Sequence, residues 1–264
     1  MTKVLVLGAS GMLGKYVSTY FTQTSKYEVT SIGRSQFDAT TDGIHTLDLQ
    51  NYDIVINCIG VIKPLVSKIG ILNTTLVNAV FPHLLANECE RVGTKLIHIT
   101  TDCVFSGKLG YYLESSDHDA LDVYGKTKSL GEPNNAMVIR TSIIGEEIGS
   151  NRSLIEWVKS NNGNEVDGYI NHTWNGVTCL ELAKFIDKCI VHNIHWLGVR
   201  HVHSPDSVTK KELVELIALH FNINLTVVPK EPSPSVYRTL STIYEPLIDK
   251  PISKQLEELY NFFV

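Results

Sequence analysis

In the stretch VYGKTKSLGE, Tyr124 and Lys128 stand four residues apart, a spacing that puts both on one face of a helix. A phenol with its ordinary pKa near ~10 is a poor proton donor at neutral pH, and an ammonium beside it supplies the charge that would make it a working acid. The pair reads as a general acid and its activator, although a plain amphipathic face carries the same spacing. Earlier in the chain, LIHITTDCVFSG begins as a β-branched apolar run and turns polar at Thr100, Thr101 and Asp102 before Cys103. Thr101 would sit at the end of a central strand, on the sheet edge where ligands bind. Cys103 stays open between a small buried hydrophobe and a thiol that takes part in the chemistry.

A second set of residues suits a dinucleotide. LVLGASGMLG places Gly8, Gly11 and Gly14 at G-x-x-G-x-x-G spacing, with Ser10, Met12 and Leu13 between them, after an apolar run and at the opening of a helical pattern. Glycines there permit a tight turn and let backbone N–H groups at a helix N-terminus approach a pyrophosphate. The next apolar run ends SIGRS. An acidic residue at that place would hold ribose hydroxyls, whereas Arg34 can pair with a 2'-phosphate, so NADP(H) is favoured and NAD(H) is the second cofactor open to the chain. A solvated surface arginine is the alternative. Asp48 closes IHTLDL, read here as a third strand, where it could reach an adenine amino group or cap a turn.

These residues need a scaffold, and the apolar pattern supplies one. KVLVLG, EVTSIG, DIVINCIG, KLIHIT and AMVIRTS are continuous apolar runs of strand length separated by helical patterns, among them one with Leu76, Val80, Leu84 and Leu85 on one face. Such runs are buried on both faces, which predicts an α/β fold with a doubly wound parallel sheet of the Rossmann type. That core is expected over 1–145, with 172–203 returning to it. A small α+β substrate lobe is expected from 146–171 and 204–264. T-x-x-E signals at Thr178 with Glu181 and at Thr209 with Glu212 open two later helices.

Composition restricts the partners. The chain has 23 Lys and Arg scattered against 28 Asp and Glu, a net charge of -5 without the clustered bases that a phosphate-tracking surface needs, so nucleic acid is not expected. The five cysteines make no CxxC and no zinc-like spacing, which predicts reduced thiols, no metal and a cytoplasmic setting. No leader is expected ahead of KVLVLG, and no apolar run approaches the ~20 residues of a membrane span. His98, His201 and His203 are expected to be structural or surface residues, Trp174 to pack rather than to stack on a nucleotide base, and Lys63 to be solvated or to meet a phosphate.

GASGMLG, ITTDCVFSG and VYGKTKSLGE, in this order, resemble an extended short-chain dehydrogenase/reductase, most closely the dTDP-4-dehydrorhamnose reductases. The resemblance is strong over about the first 145 residues and looser through WNGVTCLELAKF. It implies that Thr101, Tyr124 and Lys128 form the catalytic triad and that Asp102 lies at the sugar. It also implies that Asp48, Leu49, Cys58, Ile59, Gly60 and Ile99 line the cofactor cleft. The implied reaction is NADPH-dependent reduction of a nucleotide-linked 6-deoxy-4-keto sugar, with a homodimer as one assembly open to the chain. Two alternatives stand beside it. In related epimerase/reductases a Cys two places after the catalytic Ser or Thr is an acid/base, as Cys103 would be; and the same fold also serves as a non-catalytic NADP-binding regulatory subunit.

Overall fold

The first strand shows why the sheet must be covered on both sides. In β1 (Thr2–Leu7), Val4 and Val6 belong to one core and Leu5 and Leu7 to another, all four fully buried. The computed structural model describes residues 1–147 and 153–262. After β1 come α1 (Met12–Gln23), β2 (Tyr27–Ile32), β3 (Ile54–Asn57), α2 (Val66–Ile69), α3 (Ile71–Thr75), α4 (Phe81–Val92), β4 (Lys95–Thr101), α5 (Val123–Leu130) and β5 (Met137–Thr141). Beyond them lie β6 (Ile143–Ile144), α6 (Leu154–Ser160), β7 (Glu165–Tyr169), β8 (His172–Trp174), β9 (Val177–Thr178), α7 (Cys179–Val191) and β10 (Gly198–His201). The chain then forms β11 (Val208–Thr209), α8 (Lys210–His220), β12 (Thr226–Lys230), β13 (Val236–Tyr237) and α9 (Ile252–Tyr260).

The six-stranded sheet has the order β10-β5-β4-β3-β1-β2, and every neighbouring pair is parallel. The chain runs outward from β1 to β2 and then crosses back to β3, so the strand order reverses between β1 and β3. Ligands bind at such a reversal, outside the carboxyl ends of the strands. α7 lies against α1, and β10 extends the sheet beside β5. β8 instead pairs with β11 and β13, while β7 pairs with β12, and these short sheets with α6 and α8 make the lobe above the strand ends.

Two expected elements differ. IHTLDL is not a strand: Ile44–Leu47 and Leu49–Asn51 are two 3-10 turns, and Asp48 between them has a left-handed φ of 46°. Burial of Leu47 and Leu49 with Asp48 exposed produces the alternation that imitates a strand. The second difference is the face of the long helix. Leu76–Val80 is a π turn, which carries more residues per turn and so rotates the face of the helix beyond it. Val77, Phe81 and Leu85 are therefore the buried face, while Val80 and Leu84 point to solvent.

Arg140 on β5 ties the lobe to the sheet. It is 2% exposed; its Nε and Nη2 bind the Glu132 carboxylate at 3.1 and 2.6 Å, and its guanidinium lies over the Phe105 ring. Its remaining N–H groups meet His201 Nε2 at 2.8 Å and His118 Nε2 at 2.7 Å. Arginine only donates, so both imidazoles accept at Nε2 and carry their proton on Nδ1, which His201 gives to the Ser241 carbonyl. Burial and the guanidinium charge hold both histidines below their usual range, His201 at about 4. Removing Glu132 would leave a buried cation without its carboxylate, a loss of about 3–5 kcal/mol. Glu132→Ala is expected to lower the melting temperature by roughly 6–20 °C in calorimetry, and a drop under about 2 °C would contradict this.

Candidate active site

Two strand ends meet where the sheet order reverses. Gly8 follows β1 with φ of 78°, and a Cβ on it would lie 2.9 Å from the Cys58 carbonyl carbon just after β3. A Cβ on Gly14 would lie 2.1 Å from the Gly8 carbonyl oxygen, so only glycine lets α1 start this close to the turn. Gly11 is the N-cap of α1 and offers no side-chain cap, which leaves the helix end facing the cavity that Gly11, Met12 and Leu13 line. This bare helix end and side-chain-free turn fit the pyrophosphate of a dinucleotide.

The cavity measures about 650 Å³ and runs from that turn, past Cys58, Ile59, Gly60 and Ile99, to Thr101, Asp102, Cys103, Tyr124 and Lys128. A smaller cavity of about 170 Å³ adjoins it and is bordered by Gly8, Ser10 and Arg34. Arg34 is itself exposed and held by Asp38 at 3.1 Å, whose carboxylate also accepts from Thr40. Neither Asp48 nor Leu49 borders these cavities. Asp48 faces solvent and Leu49 packs in the core against the other side of the sheet. Lys63 turns away to pair with Asp122 at 2.9 Å.

Local chemistry explains how the three polar side chains come together. Asp122 caps α5 by accepting from the Gly125 N–H at 2.9 Å, which sets Tyr124 in the first turn. A Cβ on Gly125 would lie 2.4 Å from the Cys103 carbonyl oxygen, so the glycine after Tyr124 lets α5 press against the end of β4. There Tyr124 lines the same cavity as Thr101. The Thr101 hydroxyl donates to Asp102 at 3.1 Å and accepts from the Cys103 N–H. Lys128 is buried with its Nζ donating to the Ile99 carbonyl at 3.0 Å.

The electrostatics differ from the simple expectation that Lys128 sets the phenol. Burial, reinforced by Cys103 and Asp102, pushes Tyr124 above its ordinary range, so its proton stays on at neutral pH. Burial lowers Lys128 to about 8. Asp102 is raised, mainly by burial, with Arg238 as the strongest opposing charge. Cys103 is pushed up to about 12 by burial and by Asp102.

Several site residues had no readable signal in the sequence. Asn78, fully buried, accepts from Val61 N–H at 2.8 Å and donates to the Val61 carbonyl and to Thr127, fixing the loop after β3 against α5. Trp174, singled out in the sequence, packs against the core and also lines the cavity, donating to Ser142 at 2.8 Å. Lys210 and Arg238 reach the same cavity from the lobe. No local pattern marks Asn78, Lys210 or Arg238, and only the tertiary fold brings them here.

A parallel sheet with this glycine turn and a Thr, Tyr and Lys on one cavity defines an extended short-chain dehydrogenase/reductase. Within that class the chain belongs to the RmlD substrate binding domain family, which matches residues 1–235. It is 26% identical over 214 residues to a dTDP-4-dehydrorhamnose reductase of Aggregatibacter actinomycetemcomitans, covering 76% of this chain and 73% of that one. It is 28% identical over 249 residues to methionine adenosyltransferase 2 subunit beta of Xenopus tropicalis, covering 84% and 72%. Among solved structures, a dTDP-4-dehydrorhamnose reductase from Bacillus anthracis str. Ames in complex with NADP has the same fold, with a TM-score of 0.80 at 20% identity over 99% of both chains.

The lowered Lys128 has a measurable consequence. Its pKa falls from 10.5 to about 8 on folding, so between those values the unfolded chain binds more protons and this group makes stability rise with pH. Lys128→Met is expected to be more stable than the parent near neutral pH. That advantage should shrink steadily between about pH 8 and pH 10.5 in urea titrations, and a stability difference independent of pH would contradict the assignment.

Proposed function

We propose that the chain is an NADPH-dependent reductase of the 4-keto group of a nucleotide-linked 6-deoxy-4-keto sugar, either dTDP- or UDP-linked, with or without a 2-acetamido group. The observation that carries this reading is the meeting of Thr101, Tyr124 and Lys128 on the cavity that continues to the glycine turn. Kinship with dTDP-4-dehydrorhamnose reductases supports the substrate class. NADP in a structural neighbour, together with Arg34 beside the smaller cavity, supports the cofactor, with NAD as the second choice.

Gly8, Ser10, Gly11, Met12 and Leu13 would hold the pyrophosphate and Arg34 the 2'-phosphate, while Cys58, Ile59, Gly60 and Ile99 would form the walls of the nicotinamide end. When bound, the nicotinamide supplies the hydride. Tyr124, protonated at rest, gives its proton to the sugar oxygen on which negative charge develops. Thr101 donates a hydrogen bond to the same oxygen, and the buried Lys128 cation stabilises the phenolate that Tyr124 leaves behind. Asp102 stands next to the reacting sugar.

The Cys103 thiol is a poor base at about 12, which supports plain reduction over an added epimerisation. Kinship with a protein named as a methionine adenosyltransferase subunit favours a second reading, a cofactor-binding subunit without turnover of its own. The complete Thr, Tyr and Lys set supports the enzyme. Val80, Leu84 and Leu130 are exposed, with His83 bonded to the Leu130 carbonyl, and these apolar side chains would serve a homodimer contact. Five free cysteines support a cytoplasmic setting, and no described helix is long and apolar enough to cross a membrane.

The test is loss of NADPH absorbance on adding dTDP- and UDP-linked 4-keto-6-deoxy sugars. Tyr124→Phe is expected to cut turnover ~10²- to 10⁴-fold while NADPH still binds. Near-normal reduction by that variant would overturn the catalytic assignment, and NADPH binding with no turnover of any keto sugar by the parent would favour the subunit reading.

A further inference from the structure

The buried and half-buried cations of this protein are mostly neutralised. Arg140, Lys159, Lys184, Lys211 and Lys250 each pair with a glutamate. Two half-buried cations on the lobe wall of the large cavity are not: among the described residues neither Lys210 nor Arg238 makes an ion pair. Arg238 is anchored by donating from Nε and Nη2 to the Phe105 and Ser106 carbonyls at 3.2 and 3.4 Å, acceptors that orient the guanidinium without cancelling its charge. Lys210 is the first residue of α8, whose open N–H groups are already served by the Thr209 and Glu212 capping box. Its ammonium, not the helix end, is what the wall presents. The charges acting on Lys210 include Asp102, which attracts it, and Arg238, which repels it. Of the carboxylates these two cations act on, Asp122 is already paired with Lys63 and Asp102 is itself buried and raised. Holding like charges together in a poorly solvated wall is unfavourable unless an anion joins them.

We propose that Lys210 and Arg238 form a phosphate-binding pair that takes the diphosphate joining a nucleotide to its sugar. The proposal rests on the nucleotide-sugar reading of the site. Its geometry comes from placement: the pair stands beside Asp102, the neighbour of Thr101, so a phosphate held there presents the attached sugar toward Thr101 and Tyr124. A guanidinium fixed by two carbonyls and a mobile ammonium suit a group with several acceptor oxygens. The pair would make affinity depend on the diphosphate and leave the base to other contacts.

The test is calorimetric titration of the NADPH-saturated protein with dTDP, UDP and inorganic phosphate. In Lys210→Met the Kd for dTDP and for UDP is expected to rise roughly ten- to hundredfold, the loss of a charge-assisted contact. Lys211→Met, which removes the adjacent lysine paired with Glu215, is expected to bind both as the parent does. NADPH affinity should be equal in all three proteins. Arg238→Met also cuts the bonds that tie the lobe to Phe105 and Ser106, so Lys210→Met decides. Nucleotide affinity in Lys210→Met within about twofold of the parent would overturn the proposal. Inorganic phosphate that matches the nucleotides in affinity would also overturn it, by making the pair a site for free phosphate. Loss of nucleotide affinity in Lys210→Met, with no keto sugar reduced by the parent, would uphold the pair and end the reductase reading. Unchanged affinity beside intact reduction would do the reverse.

Discussion

The backbone contact between Gly8 and the Cys58–Ile59 peptide is the constraint on which the site depends. It joins the ends of β1 and β3 at the reversal of strand order, and no side chain fits between them. Gly14 repeats the condition six residues later, where a Cβ would strike the Gly8 carbonyl. From that fixed point the cavity extends along the carboxyl ends of β3 and β4, and Asn78 then locks the loop after β3 onto α5. Cofactor turn and polar cluster are thus set in one frame by contacts that leave little freedom.

The parallel sheet was legible because its strands are continuous apolar runs, buried on both faces, as Val4 to Leu7 show. IHTLDL was not, because two buried leucines flanking a left-handed Asp48 produce the same alternation as a strand. The face of α4 was misplaced because a π turn adds a residue that hydrophobic spacing cannot reveal. Gly125 shows a signal that is visible only in retrospect. Its place after Tyr124 is dictated by the Cys103 carbonyl, a residue far away in sequence. Lys210 and Arg238 belong to the lobe, where short strands pair across long sequence separations, and no local pattern marks them.

Burial sets the chemistry of the polar cluster more than pairwise charge does. It keeps Tyr124 protonated, lowers Lys128 and raises Asp102, so the resting site holds a proton to give and a cation to compensate its loss. A reduction needs that arrangement, since negative charge appears on the substrate oxygen. The Arg140 cluster extends the same logic to the scaffold. One buried cation, matched to Glu132 and two neutral histidines, ties the segment after Asp102 to the sheet through Phe105 and the lobe to it through Ser241.

The most direct measurement is the fate of the hydride itself. The protein would be incubated with NADPH deuterated at the transferred nicotinamide C4 position and a dTDP- or UDP-linked 4-keto-6-deoxy sugar, and the product read by NMR. A single deuterium at sugar carbon 4 is the result the account requires. Cofactor oxidised with no deuterium on that carbon, or no keto sugar converted at all, would contradict it.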